Sequence, residues 1–102
     1  MTRLALAPLA EGDLSAILTF LRSEAGSSTA EKYRSRFRET FDRLRAFPES
    51  GAPRPDFGAD LRIAVVHPYV VFYDFVPSDD VLTVWRILHG KVSVDEKLLR
   101  DC

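Results

Sequence analysis

The helical and strand-like patterns of this chain do not interleave. Residues 8–47 repeat apolar side chains at helical spacing, whereas residues 61–88 hold three short β-rich runs separated by turns. Helices grouped together and strands grouped together give a two-layer α+β domain.

Residues 3–7 alternate weakly and read as a short strand. Pro8 suits the first turn of a helix, where its missing N–H would be unpaired anyway. Glu11 and Asp13 sit where the helix dipole favours negative charge. Leu14, Ile17, Leu18 and Leu21 then follow the i, i+3, i+4, i+7 spacing of one apolar face. Gly26 closes this helix in a left-handed conformation. Ser28-Thr29-Ala30-Glu31 fits a capping box that opens a second helix. Tyr33, Phe37, Phe41, Leu44 and Phe47 continue it until Pro48 stops it. So short a link makes the two helices an antiparallel hairpin.

Residues 48–60 carry three prolines and two glycines and read as an ordered loop, not a domain linker. The strands Leu61–Val66, Tyr69–Val76 and Val81–Leu88 are joined by His67-Pro68 and by Pro77–Asp80, which predicts an antiparallel meander. Residues 94–100 have a weak helical tendency. The expected order is therefore β-α-α-β-β-β, a helical hairpin packed on an antiparallel sheet. At 102 residues the whole chain, 1–102, is expected to be one domain.

Composition narrows the function classes. Hydrophobic residues make up 46% and charged residues 28%, as in a globular protein. A formal net charge of −1 gives no overall argument for nucleic-acid binding, and direct nucleic-acid binding by the chain alone is not expected. The single cysteine, Cys102, cannot form an internal disulfide, and no Cys/His spacing suggests zinc. No apolar run reaches the length of a membrane span, and the start does not read as a secretory leader, so a cytoplasmic protein is expected.

Two patterns look beyond the chain itself. Antiparallel strands with one wet face alternate apolar and polar side chains. Tyr69-Val70-Val71-Phe72-Tyr73 does not alternate, and Val81–Leu88 hardly does. The hairpin can cover only one face of such a sheet, so a partner or the C-terminal tail is expected on the other. The second helix carries Lys32, Arg34, Arg36, Arg38, Arg43 and Arg45 against Glu39 and Asp42, six charges against two, a local balance of +4. That face could meet nucleic acid or an acidic partner segment, or simply be solvated.

A conventional active site is not legible. The five glycines are scattered and form no phosphate loop. The serines form no nucleophile elbow. His67 reads as a turn residue. His89 could act as a general base, or could cap the strand and hold the tail. No cofactor or metal is expected.

Taken in order, the helical hairpin, Phe47-Pro48-Glu49-Ser50-Gly51, Arg54-Pro55, Leu61-Arg62, Tyr69-Val70-Val71-Phe72-Tyr73 and Arg86-Ile87-Leu88-His89-Gly90 resemble a ParE-type toxin of the ParE/RelE superfamily. The resemblance covers nearly the whole chain. It implies a toxin of a type II toxin–antitoxin pair, neutralised by a ParD-like antitoxin whose C-terminal segment wraps the toxin, and it implies DNA gyrase as target. Members of the RelE branch, which cut ribosome-bound mRNA, place an arginine after the middle-strand tyrosine, where this chain has Val70. They place a second two residues past the glycine that follows the last strand, here Val92, and a tyrosine near Leu98. Three expected catalytic positions are thus apolar, which favours the branch without nuclease chemistry.

Under this reading no residue is catalytic. Leu14, Leu18, Tyr33, Phe37, Tyr73 and Trp85 are the candidates for antitoxin contact, although core packing is an equal reading for each. Arg62, Arg86, His89 and Lys91 are the candidates for target contact, with a carboxylate partner along the sheet as the alternative role of Arg86. The competing functions are a ribosome-dependent ribonuclease using His89, Lys91 and Arg86, and a non-toxic remnant that still binds antitoxin.

Overall fold

The computed structural model describes residues 2–90. Strand β1 (Arg3–Leu6) leads into helices α1 (Pro8–Ala25) and α2 (Ser27–Ala46). A two-residue strand β2 (Ala52–Pro53), a 3-10 turn (Pro55–Phe57) and strands β3 (Arg62–Val66), β4 (Tyr69–Val76) and β5 (Val81–His89) follow. This is the α+β order read from the sequence, with β2 and the 3-10 turn added inside the proline-rich loop. The helical tendency at residues 94–100 lies outside the described residues.

The sheet runs β1-β5-β4-β3-β2. Strands β3, β4 and β5 form the expected antiparallel meander. The sheet as a whole is mixed rather than antiparallel, because β1 pairs parallel to β5 from Arg3↔Val81 to Leu6↔Val84. Parallel neighbours need a long crossover, and here the hairpin and meander together supply it. That relation joins the two ends of the sequence and has no local signature.

Pro8 opens α1 as expected. Gly26 has φ +93° and serves both as the end of α1, through its N–H to Arg22 O at 3.2 Å, and as the residue before α2. The expected capping box does not form. The second helix begins at Ser27, and no side chain caps it. Ser28 is already helical, so its hydroxyl is not at the cap position, and Glu31 pairs with Arg34 at 3.3 Å instead.

The main core lies between the hairpin and the sheet, built on Phe37, Leu44, Val71, Tyr73, Leu82 and Val84. Each large side chain buried this completely stabilises the fold by about 1.5–3 kcal/mol. A second cluster sits on the other face, where Leu61 and Phe72 are buried against Phe57, Ile63, Val70, Trp85 and Leu88. The cover expected from a partner or tail is thus partly supplied by the 54–61 segment. Phe57 meets Phe72 edge-on at 5.9 Å, and the Arg54 guanidinium lies 4.4 Å from the Phe57 ring centre. Val65 on this face stays 56% exposed.

A β-bulge explains why Val81–Leu88 scarcely alternates. Tyr73 pairs with Val84 but Phe72 pairs with Arg86, leaving Trp85 as an extra residue. The bulge shifts the strand phase by one. Leu82 and Val84 face the hairpin before it, and Ile87 does so after it.

Candidate partner-binding furrow

Beyond the end of β1, the side of β5 away from β4 has no neighbouring strand among the described residues, and α1 takes over. Asp13 accepts the Ile87 N–H at 3.0 Å and two bonds from Arg86, at 2.7 Å from Nε and 3.0 Å from Nη2. Both side chains are about 15% exposed. Charge-assisted, bidentate geometry of this kind is strong and directional, so it fixes where α1 crosses the sheet edge. Arg86 therefore takes the carboxylate partner that the sequence left open as its alternative role.

With α1 fixed there and α2 packed beside it, a furrow of about 520 Å³ opens between the hairpin and β1. Its apolar lining comes from Leu4 and Leu6 of β1, Leu14 and Leu18 of α1, and Phe37 and Phe41 of α2. Its charged lining is Arg3, Arg34, Arg38 and Arg45 against Asp42, four charges against one, a local balance of +3 in a chain of net charge −1. The furrow continues through Leu6, Leu14, Leu18 and Arg34 into a second hollow of about 340 Å³ bordered by Glu11 and Arg22.

The arginines are not consumed by internal pairing. The Arg34–Glu31 contact at 3.3 Å and the Arg45–Asp42 contact at 3.9 Å join well-exposed side chains. Exposed pairs of this kind contribute little and yield readily to a better partner. Arg45 Nε also donates to Thr2 O at 3.3 Å, which ties the start of β1 to α2. An apolar channel edged by cations suits an amphipathic acidic segment.

The predicted contact residues divide. Leu14, Leu18 and Phe37 line the furrow. Tyr33 lies outside it, 4.9 Å from the Arg36 guanidinium and edge-on to Tyr69 at 6.1 Å. Tyr73 is fully buried. Its hydroxyl accepts the Gly51 N–H at 2.9 Å and donates to Pro48 O at 3.0 Å, so it anchors the loop that ends α2. Trp85 belongs to the second-face cluster. Sequence reasoning missed Leu4, Leu6 and Phe41 as lining residues. The Phe37–Phe41 spacing carried a signal, whereas the place of β1 did not.

The target-contact candidates do not converge. Arg62 Nη1 donates to Glu49 O and Gly51 O, at 2.9 and 2.8 Å. His89 stands edge-on to Tyr69 at 5.7 Å. Arg62 pairs in register with Tyr73, and His89 pairs with Tyr69, four residues away along β4, or roughly 13 Å at strand rise. Lys91 lies outside the described residues. Burial, and then the neighbouring Tyr33, push the Tyr69 hydroxyl above its ordinary pKa. Burial likewise raises Tyr73, outweighing the Gly51 N–H that favours its anion.

Val70, which stands where the RelE branch carries an arginine, packs against the Leu61–Phe72 cluster. The sheet face around it is apolar, with no cation from β4 to stabilise a phosphate. Val92 and Leu98 lie outside the described residues. Among the described residues no three His, Cys, Asp or Glu side chains gather in metal-binding reach, and no helix is long and apolar enough to cross a membrane.

The sequence model of a family described as the ParE toxin of the type II toxin–antitoxin system parDE matches residues 4–93. No curated protein matches the chain. Among solved structures, a chain of the chromosomal ParDE TA system from P. aeruginosa superposes with a TM-score of 0.72 at 22% identity, covering 87% of this chain and 96% of that one. The isolated E. coli RelE toxin superposes with a TM-score of 0.60 at 15% identity, covering 91% of this chain and 88% of that one. At these identities the two likenesses are of fold.

Proposed function

The chain belongs to the ParE toxin family of type II toxin–antitoxin systems, and from that premise we propose that it is silenced by a ParD-like antitoxin seated in the furrow and that, when free, it poisons DNA gyrase in the cytoplasm. The observation that carries the first half is the furrow itself: an apolar channel with a +3 lining in a chain of net charge −1. A disordered acidic segment can fold into such a channel and bind tightly despite the ordering cost. Family resemblance supports the gyrase half.

The ribonuclease alternative needs cations on the sheet where Val70 lies in an apolar cluster. In-line attack by a ribose hydroxyl depends on such electrostatic support. The poisoning reading therefore involves protein binding without nuclease chemistry.

Inducible expression in a bacterial host tests it, with a DNA-damage reporter and mapping of mRNA 5′ ends in the same cells. The expected result is growth arrest with damage and unchanged mRNA ends, relieved by a co-expressed ParD-like antitoxin. Arrest with newly cut mRNA would replace the gyrase reading by the ribonuclease one. Harmless expression in a host with sensitive gyrase would leave only an antitoxin-binding remnant.

A further inference from the structure

Helix α2 ends at Ala46, and the next residue, Phe47, is 65% exposed. Its backbone is nonetheless well fixed. The Phe47 N–H goes to Arg43 O at 2.8 Å, and Phe47 O accepts the Ser50 N–H at 3.0 Å. The loop behind it is tied down by the Tyr73 hydroxyl on Pro48 O and by Arg62 on Glu49 O and Gly51 O. An aromatic ring is thus held out in water on anchored backbone. Single apolar side chains on a surface need no explanation, but this one borders an apolar patch. Beside it lies an open hollow of about 640 Å³ walled by Thr2, Ala46, Pro48, Ser50 and Phe75. Val76, next to Phe75, is 41% exposed. No residue lining this hollow lines the furrow.

A knob and a hollow on one patch suit a twofold contact. In such a contact residue i of one copy meets residue j of the other, and j meets i. The charges follow the same rule. Arg43 stands one helical turn before Phe47, on the side of the knob, and Glu49 stands on the wall of the hollow. Both are exposed, and among the described residues neither side chain makes an ion pair. A twofold axis beside Phe47 brings the cation of each copy to the anion of the other.

We propose that the free chain forms a twofold dimer through this patch, with Phe47 of each copy seated in the hollow of the other and Arg43 paired across the axis with Glu49. A central aromatic anchor in a pocket, rimmed by opposite charges, is the usual anatomy of a specific contact. The ring is already held in place, so seating it costs little ordering. The other apolar seat for Phe47 on a second copy is the furrow. That contact would not close on itself, and it would bring Arg43 toward the four furrow arginines. The proposal does not depend on what the furrow binds.

Sedimentation equilibrium of the full chain tests it. One ring per copy makes a small interface, so the expected result is a reversible monomer–dimer equilibrium with Kd of about 10 μM. Phe47→Ser removes the knob and should weaken the dimer at least tenfold. Arg43→Glu and Glu49→Arg each set like charges across the axis and should do the same. Combining Arg43→Glu with Glu49→Arg restores both pairs and should return Kd to within about threefold of the native value. An equal mixture of the two single variants should form mixed dimers more readily than either variant dimerises alone. A monomer at every concentration overturns the proposal. So does a dimer that survives Phe47→Ser, or one that neither the double variant nor the mixture restores. Species that grow beyond the dimer and vanish in Phe47→Ser would put the ring in a furrow and overturn the closed contact. All three substituted residues are exposed, so each variant should fold, which urea unfolding checks. Should Phe47→Ser fail to fold, the mixture of charge variants decides.

Discussion

Replacing Asp13 by alanine should be among the most damaging single changes on α1. Its carboxylate takes two charge-assisted bonds from Arg86 and the Ile87 N–H, with both side chains about 15% exposed. Without it, the guanidinium stays largely out of water beside an unpaired backbone N–H. Breaking a fully buried pair costs about 3–5 kcal/mol. The remaining exposure lets water recover part of that, which leaves a loss of ~3 kcal/mol. For a domain of this size such a loss lowers Tm by roughly 12–24 °C. Arg86→Met keeps the stem that packs along the sheet and leaves Asp13 with the Ile87 N–H alone, at a cost of about 2 kcal/mol. The double variant should then lose about 1.5–2.5 kcal/mol less than the two single losses combined. Urea unfolding followed through Trp85, the only tryptophan, measures all three. Additivity within about 0.5 kcal/mol, or a loss below about 1 kcal/mol for Asp13→Ala, would refute the claim that this pair fixes α1 on the sheet.

Tyr73→Phe should cost about 1–3 kcal/mol, because it strands the buried Gly51 N–H that the hydroxyl accepts; the shift in urea midpoint reports it. Gly51→Ala should cost more than Tyr73→Phe in the same assay, since a β-carbon there would run into the Tyr73 hydroxyl and Ile63 O. Raised hydroxyl pKa values at Tyr69 and Tyr73 mean that the folded state holds these protons more tightly than the unfolded chain. Stability should be constant below the ordinary tyrosine value of 10.0 and fall as pH rises past it. Urea midpoints between pH 8 and 11 test this; a slope that survives Tyr69→Phe combined with Tyr73→Phe would assign the loss to other groups.

Local signals carried most of the fold. The helical spacing from Leu14 to Leu44 and the turns at Pro68 and Pro77 each act within a few residues and appear where the spacing predicts them, whereas α2 ends at Ala46 and leaves Phe47 outside the helix and exposed. The place of β1 depends on a contact between residues nearly eighty apart in sequence, which no local pattern reports. The candidate furrow was therefore only half legible: its helix residues stood out by period, but its β1 wall did not. Capping failed for a related reason. Gly26 ends one helix and precedes the next, which leaves Ser28 no cap position to occupy. The sheet run from Tyr69 to Tyr73 was correctly apolar on both faces, yet part of the cover comes from Phe57 and Leu61, in a loop whose composition suggested only turns. Arg86 stood out as a charge in a strand, and only the structure shows that Asp13 takes it.

If the furrow is where an antitoxin silences this chain, charge reversal at its rim should abolish that silencing. Arg34 and Arg38 line the furrow and are exposed, so Arg34→Glu with Arg38→Glu should leave the fold intact while presenting repulsion to an acidic segment. Growth would be followed after induction of the double variant and of the native sequence, each with and without a co-expressed ParD-like antitoxin. Both are expected to arrest growth alone, and the antitoxin is expected to rescue only the native sequence. Full rescue of the charge-reversed toxin would contradict it.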